Sequence, residues 1–296
     1  MAKRILVPIE GGARDAEALA VARHLARQIP AGIVMVHVAP MYFDTREIVA
    51  AERRLDEYVQ ALRAEGIDAH FLMEYGEPAT GIAKVARQHG AEIIVLAPEH
   101  RALLETLWHP RVSTGLLGHS ATPLFILPDV PPDVSAPELL SDPNAKVIAA
   151  VDGSQNAEAA LPLAIQLAQS YQRPLLLVRV VAPIFILGAG VEALKAQREA
   201  QYAEKAEAHR YLVESRERIA AETQLPVETN ELVGPVAEHL TQLAASHHGS
   251  VLVMGTHGRS GLARVAIGSV AAEVMERAST PVIIVPSRPG KDAPGQ

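Results

Sequence analysis

Four residues in the carboxy-terminal part of the chain have the types and spacing to hold an anion. Two residues separate Gly255 from Gly258, nine more separate Gly258 from Gly268, and Ser269 follows. The first pair follows the apolar run 251–254, which reads as a buried strand, and the second pair opens a helix. A helix start leaves backbone N–H groups without intrahelical acceptors, and the macrodipole adds partial positive charge there. Together these make an anion site. Glycine tolerates positive φ and lets backbone approach a phosphate oxygen, and Ser269 suits either a helix cap or a hydroxyl donor to phosphate. Arg259 and Arg264, between the glycines, add positive charge. Two glycines alone would mark only a surface loop. The strand before and the helix after favour the phosphate reading.

A second element is Val151-Asp152-Gly153-Ser154, which ends another β-branched run. Ligands of open α/β sheets sit at the carboxyl ends of strands where the strand order reverses. With the order 3-2-1-4-5, Asp152 and Gly255 end neighbouring strands at that crevice. A carboxylate there accepts hydrogen bonds from ribose hydroxyls or an adenine amine. Equally, Asp152 caps the helix that follows, and the sequence leaves the two readings open.

The elements that position these residues occur twice. Residues 3–19, KRILVPIEGGARDAEAL, align without a gap on residues 145–161, AKVIAAVDGSQNAEAAL. Residues 94–128 align without a gap on 252–286, Thr122-Pro123 falling on Thr280-Pro281. Between these blocks the second copy carries about sixteen extra residues, and such ordered self-similarity indicates tandem duplication. The units are 1–128 and 146–288, joined by a proline-rich linker at 129–145 that favours an extended tether long enough for the halves to pack face to face. In the second unit the spacing predicts strands at 147–151, 175–181, 227–233, 251–255 and 282–285. It predicts helices at 155–170, 191–223, 235–247 and 269–278. Leu194, Arg198, Tyr202, Ala206, His209, Val213 and Arg216 form a mixed, partly buried stripe on the longest helix. The apolar segment 183–190 before that helix suits core packing, a lid or an interface. Alternating strands and helices give an α/β fold of two doubly wound, Rossmann-like domains. Each is a five-stranded parallel sheet with helices on both faces.

These features resemble those of a tandem universal stress protein, and the likeness covers both halves. The family's ATP-binding subgroup has a glycine, two residues, a glycine, nine residues, then glycine and serine or threonine. Gly255, Gly258, Gly268 and Ser269 match it in the second domain only. The resemblance implies phosphate and ribose contacts from these positions and Val270, with Met254 and His257 beside them. It also implies an aspartate at Asp152, adenine contacts from the strand end at Val180, and dimers through the last strand, 281–285. The family usually has proline two before the aspartate; here Ala150 stands there. In the first half the aligned residues are Ala97, His100, Pro110 and Arg111, and Glu10 replaces the aspartate. Pro110 removes an N–H, so no equivalent nucleotide site is expected. The first half is expected instead to be a permanent partner for the second. The implied function is a nucleotide-binding stress or signalling protein that holds ATP, with Mg2+ offsetting phosphate charge, and acts through a ligand-biased interface. The alternatives are a slow ATPase or phosphotransferase using His257, and a structural interaction protein that binds nothing.

Composition sets the remaining bounds. Thirty-four acidic against 27 basic residues give a net charge of −7, which argues against a nucleic-acid partner. The chain has no cysteine, so disulfides and thiolate metal sites are excluded, and a reducing compartment fits. No apolar run reaches the length of a membrane span, and the apolar run at 5–9 is too short for a signal core. A cytoplasmic protein without a membrane partner is expected, with an adenine nucleotide, an unidentified protein and a second copy as its candidate partners. Phosphate loops of the GxxxxGK[ST] type, GxSxG elbows and HExxH metal sites are absent from the sequence, and Gly188-Ala189-Gly190 lacks a third glycine.

Overall fold

The structure is a computed structural model that describes residues 3–12, 14–40, 45–97, 110–128, 142, 144–186, 190–258 and 267–287, without the side chains at 45, 47, 110 and 111. The first half runs β1 (Lys3–Pro8), α1 (Asp15–Gln28), β2 (Ala31–Ala39), α2 (Thr45–Ala64), β3 (Ala69–Tyr75), α3 (Pro78–Gln88), β4 (Ala91–Leu96), α4 (Pro110–His119) and β5 (Leu124–Ile126). The second repeats the order as β6 (Val147–Ala150), α5 (Gln155–Tyr171), β7 (Leu175–Val181), α6 (Val191–Thr223), β8 (Val227–Val233), α7 (Val236–Ser246), β9 (Val251–Gly255), α8 (Ser269–Arg277) and β10 (Val282–Val285).

The ten strands among the described residues form one sheet, in the order β3-β2-β1-β4-β5-β10-β9-β6-β7-β8. Within each half every pairing is parallel. The halves meet at one antiparallel pairing, β5 with β10, which sets Val282 opposite Ile126, Ile283 opposite Phe125 and Ile284 opposite Leu124. They therefore join edge to edge, not face to face as the tether length suggested. Each half-sheet would otherwise present an unpaired apolar edge strand, and pairing the two satisfies both ladders. This internal seam engages β10, the strand through which the resemblance implied dimerisation.

The strands alternate their side chains between two apolar layers that both run across the seam. Ile5, Val7, Phe125, Val253 and Ile283 pack under α1, α2, α5 and α6. Leu6, Val36, Leu124, Met254 and Ile284 pack under α3, α4, α7 and α8. Burial on both faces explains why these strands read as continuous apolar runs. The helix boundaries of the second half differ by at most one residue from those read in the sequence, and α6 matches at both ends. Pro235 is the N-cap residue of α7 and not part of its first turn.

Beneath the junction, His24 of α1 stacks on Tyr171 of α5 at 5.4 Å, and the Arg173 guanidinium lies 5.1 Å from the Tyr171 ring centre. His37, inside β2, is buried and places Nδ1 2.7 Å from the Ile9 carbonyl oxygen, as suits a core histidine.

Candidate nucleotide site

In the second half the strand order reverses at β6, with β7 on one side and β9 on the other. The chain leaves these strands in different directions: α5 covers one face and α7 and α8 cover the other. A crevice opens at their carboxyl ends. It holds a cavity of about 480 Å³ lined by the β6, β7 and β9 ends, the α8 start, and residues of α5, α6 and α7. That volume lies in the range of small-molecule sites, roughly 300–1,000 Å³. Asp152, Val180, Met254, Gly255, His257, Gly258, Gly268, Ser269 and Val270 all line it. Residues up to 118 positions apart in sequence thus share one surface. Arg259 and Arg264 lie outside the described residues, as do Gly188 and Ala189.

Of the two reasons read from the sequence for these glycines, positive φ and close backbone approach, the first does not hold. None of Gly255, Gly258 and Gly268 has positive φ. Each instead lacks room for a side chain. A Cβ on Gly255 would sit 2.7 Å from the Asn156 carbonyl oxygen in the first turn of α5. On Gly258 it would sit 2.5 Å from Asp152 Oδ2, and on Gly268 2.9 Å from the Thr256 carbonyl oxygen. Gly255 therefore brings β9 against α5, Gly258 leaves space for the aspartate, and Gly268 folds the end of the loop back onto its beginning. The Gly268 N–H donates to the Thr256 carbonyl at 2.8 Å.

The helix-start reading also changes in detail. Gly268, not Ser269, is the N-cap of α8, and no side chain caps it. Ser269 is the first helical residue. Its N–H and those of Val270 and Ala271 find no intrahelical acceptor and face the cavity side of the helix end. Asp152 does not cap α5: Ser154 does, its Oγ accepting from the Ala157 N–H at 3.2 Å. Asp152 Oδ1 accepts from the Ser154 N–H at 2.9 Å, which fixes the carboxylate at the mouth of the crevice. Val180 is the penultimate residue of β7 and Ala150 ends β6 on the apolar wall.

Several lining groups were not singled out from the sequence. Thr256 lies inside the glycine motif and is buried. Its Oγ1 accepts from the Ser287 N–H at 3.1 Å and lies 2.9 Å from Ser287 Oγ and 3.2 Å from His257 Nδ1. This ties the loop to the end of β10. Arg179 on β7 is buried, pairs with Glu207 of α6 at 3.0 Å and stacks over Tyr211. The readable signal is an arginine within a strand otherwise built of Leu and Val. Glu204 of α6 also reaches the cavity, as does Ile184 from the 183–190 segment that the sequence had marked as core, lid or interface.

The first half is built differently at the equivalent place. Asp15 occupies the position that Ala157 holds in the second half, as the gapless alignment shows. Its buried carboxylate accepts from the Glu10 N–H at 3.1 Å and the Gly11 N–H at 2.7 Å. Burial pushes the Asp15 carboxyl above the usual carboxylate range, against the pull of those N–H donors, Arg54 and His37. The strand-end amides of this half are thus satisfied from within. Ala97 follows β4 and Pro110 opens α4 with no N–H to offer. His100 and the Arg111 side chain lie outside the described residues. Among the described residues no group of three or more histidine or acidic side chains could hold a metal. None of the described helices is long and apolar enough to cross a membrane.

Comparison with known proteins agrees with this architecture. The model of the universal stress protein family matches residues 1–128 and again 143–286. Universal stress protein Rv2005c of Mycobacterium tuberculosis is 26% identical over 244 residues, covering 81% of this chain and 76% of that protein. Universal stress protein MJ0531 of Methanocaldococcus jannaschii is 35% identical over 75 residues, 25% of this chain and 44% of that protein, so the match spans under half of that relative. Among solved structures, a universal stress protein from Archaeoglobus fulgidus superposes with a TM-score of 0.69 at 20% identity, covering 96% of each chain.

Proposed function

Since the chain belongs to the universal stress protein family, with two family units in tandem, we propose that its second unit binds one ATP and that the first unit serves as its fixed structural partner. The observation that carries this reading is the convergence of the nine residues named above on one cavity with an uncapped helix start. The free N–H groups of Ser269, Val270 and Ala271 and the Ser269 hydroxyl suit phosphate oxygens. Asp152, held by Ser154, is set to accept from ribose hydroxyls. Val180, Val236 and Leu240 offer an apolar slot for a purine. Magnesium would ride on the phosphates, which need few protein ligands to hold it. It would offset charge that a net acidic protein does not neutralise by itself.

The activity proposed is binding, not turnover. The ligand supplies a polyanion at the α8 start, and occupancy biases the surface that a partner protein reads. The setting proposed is the cytoplasm. Isothermal titration of the full chain with Mg·ATP tests the reading. One site per chain with heat of binding supports it, and no heat together with no thermal shift refutes it. ADP release at substoichiometric enzyme, lost in His257→Ala, would instead establish the phosphotransferase alternative.

A further inference from the structure

The glycine loop is anchored on the seam strand through one residue. Thr256, the first residue after β9, is buried, and each of its polar groups is committed. Its N–H donates to the Val285 carbonyl at 3.1 Å, and its carbonyl accepts from the Gly268 N–H at 2.8 Å. Its Oγ1 accepts from the Ser287 N–H at 3.1 Å. Val285 ends β10, and β10 pairs with β5 of the first unit. Both ends of the glycine loop are therefore referred to a strand that the first unit holds in place.

The threonine hydroxyl also reaches a residue of the site. Oγ1 lies 3.2 Å from His257 Nδ1, and Ser287 Oγ lies 2.9 Å from Oγ1 and 3.5 Å from the same ring nitrogen. A hydrogen-bond partner at one nitrogen of an imidazole sets the orientation of the ring. The ring held this way lies against the start of α8. A Cβ on Gly268 would sit 3.6 Å from His257 Cα and 3.6 Å from its Cδ2. His257 and Gly268 both line the cavity. In the gapless alignment Pro98 and Glu99 stand where the second unit has Thr256 and His257, so the first unit has no counterpart of this hydroxyl.

We propose that Thr256 is a positioning residue for the phosphate end of the nucleotide: anchored by Ser287, it holds the His257 ring against the α8 start. The proposal rests on the nucleotide reading above and adds to it the group that orients His257. A ring fixed before the ligand arrives has less rotamer freedom to lose on binding. Thr256 thus acts through His257.

The test is a double-mutant cycle in the full-length protein, read by isothermal titration with Mg·ATP. Thr256→Val keeps the β-branched outline and removes the hydroxyl, whereas Thr256→Ser keeps the hydroxyl. Affinity should fall by about fivefold in Thr256→Val, the scale of one net hydrogen bond, and stay within about twofold of wild type in Thr256→Ser. In a His257→Ala background Thr256→Val should add no further loss, because the residue it orients is gone. Nitrogen-15 NMR of the protein without ligand supplies a second readout. The His257 Nδ1 signal should move in Thr256→Val and hold in Thr256→Ser. Wild-type affinity in Thr256→Val, an equal loss with and without His257, a Thr256→Ser variant as weak as Thr256→Val, or an unmoved Nδ1 signal would each overturn the proposal while leaving nucleotide binding in place. A wild type that binds no ATP would overturn the nucleotide reading and this one with it.

Discussion

Gly258→Ala separates the work of the glycine motif in ligand binding from its work in folding. A Cβ at 258 would lie 2.5 Å from Asp152 Oδ2, while ordinary contact begins at 3.4 Å. The carboxylate must therefore retreat by roughly 0.9 Å, and it can, because the contact is with the end of a side chain. Retreat disturbs the Oδ1 contact with the Ser154 N–H. One such bond contributes about 1 kcal/mol net, which for a chain of this size corresponds to a Tm drop of a few degrees. In the proposed complex the displaced carboxylate would also lose its alignment with a ribose hydroxyl, worth about 1.5–3 kcal/mol when one partner is charged. ATP affinity should thus fall by at least about tenfold. Gly255→Ala is the contrasting variant. There the new Cβ meets backbone, the Asn156 carbonyl at 2.7 Å. The first turn of α5 must move off β9, and overpacking of this kind costs about 1–3 kcal/mol of stability. Thermal melts and ATP titrations of both variants decide the matter. Gly258→Ala with unchanged melting and unchanged affinity would refute the assignment of Asp152 and Gly258 to the site.

Other expectations follow from particular contacts. Ser154→Ala removes the α5 cap and should cost about 1 kcal/mol in urea unfolding. Phe125→Ala empties a fully buried position on the seam strand β5 and should cost about 3–5 kcal/mol, read from a lower denaturation midpoint. His24 is held below its ordinary pKa of 6.5 by burial, then by Arg173 and Arg27. The unfolded chain therefore binds this proton more readily than the folded one, and stability should decline as pH falls below about 6.5. His24→Phe should flatten that decline in melts compared between pH 7.5 and 5, and an identical slope in the variant would remove His24 as its cause.

Much of this protein was legible without coordinates. The gapless repeat, the alternation of apolar strands with helices, and the glycine spacing all depend on local order along the chain. They determined two α/β units and the residues that meet at the cavity. The loss of glycine at Ala97 and the proline at Pro110 likewise marked the first half as different. Contacts made across the fold were not legible in that way. Positive φ, one of the two reasons read for the glycines, gave way to a need for space, because the atoms they must avoid, on Asn156, Asp152 and Thr256, are set by the folded arrangement. Ser154 and not Asp152 became the α5 cap because the helix begins at Gln155, which leaves Ser154 as the residue just before its first turn. The edge-to-edge seam, the Asp15 carboxylate turned onto its own strand-end amides, and Glu204 at the cavity wall arise from pairings between distant segments. Periodicity reports which face of an element is apolar, whereas the tertiary structure decides which other element covers that face.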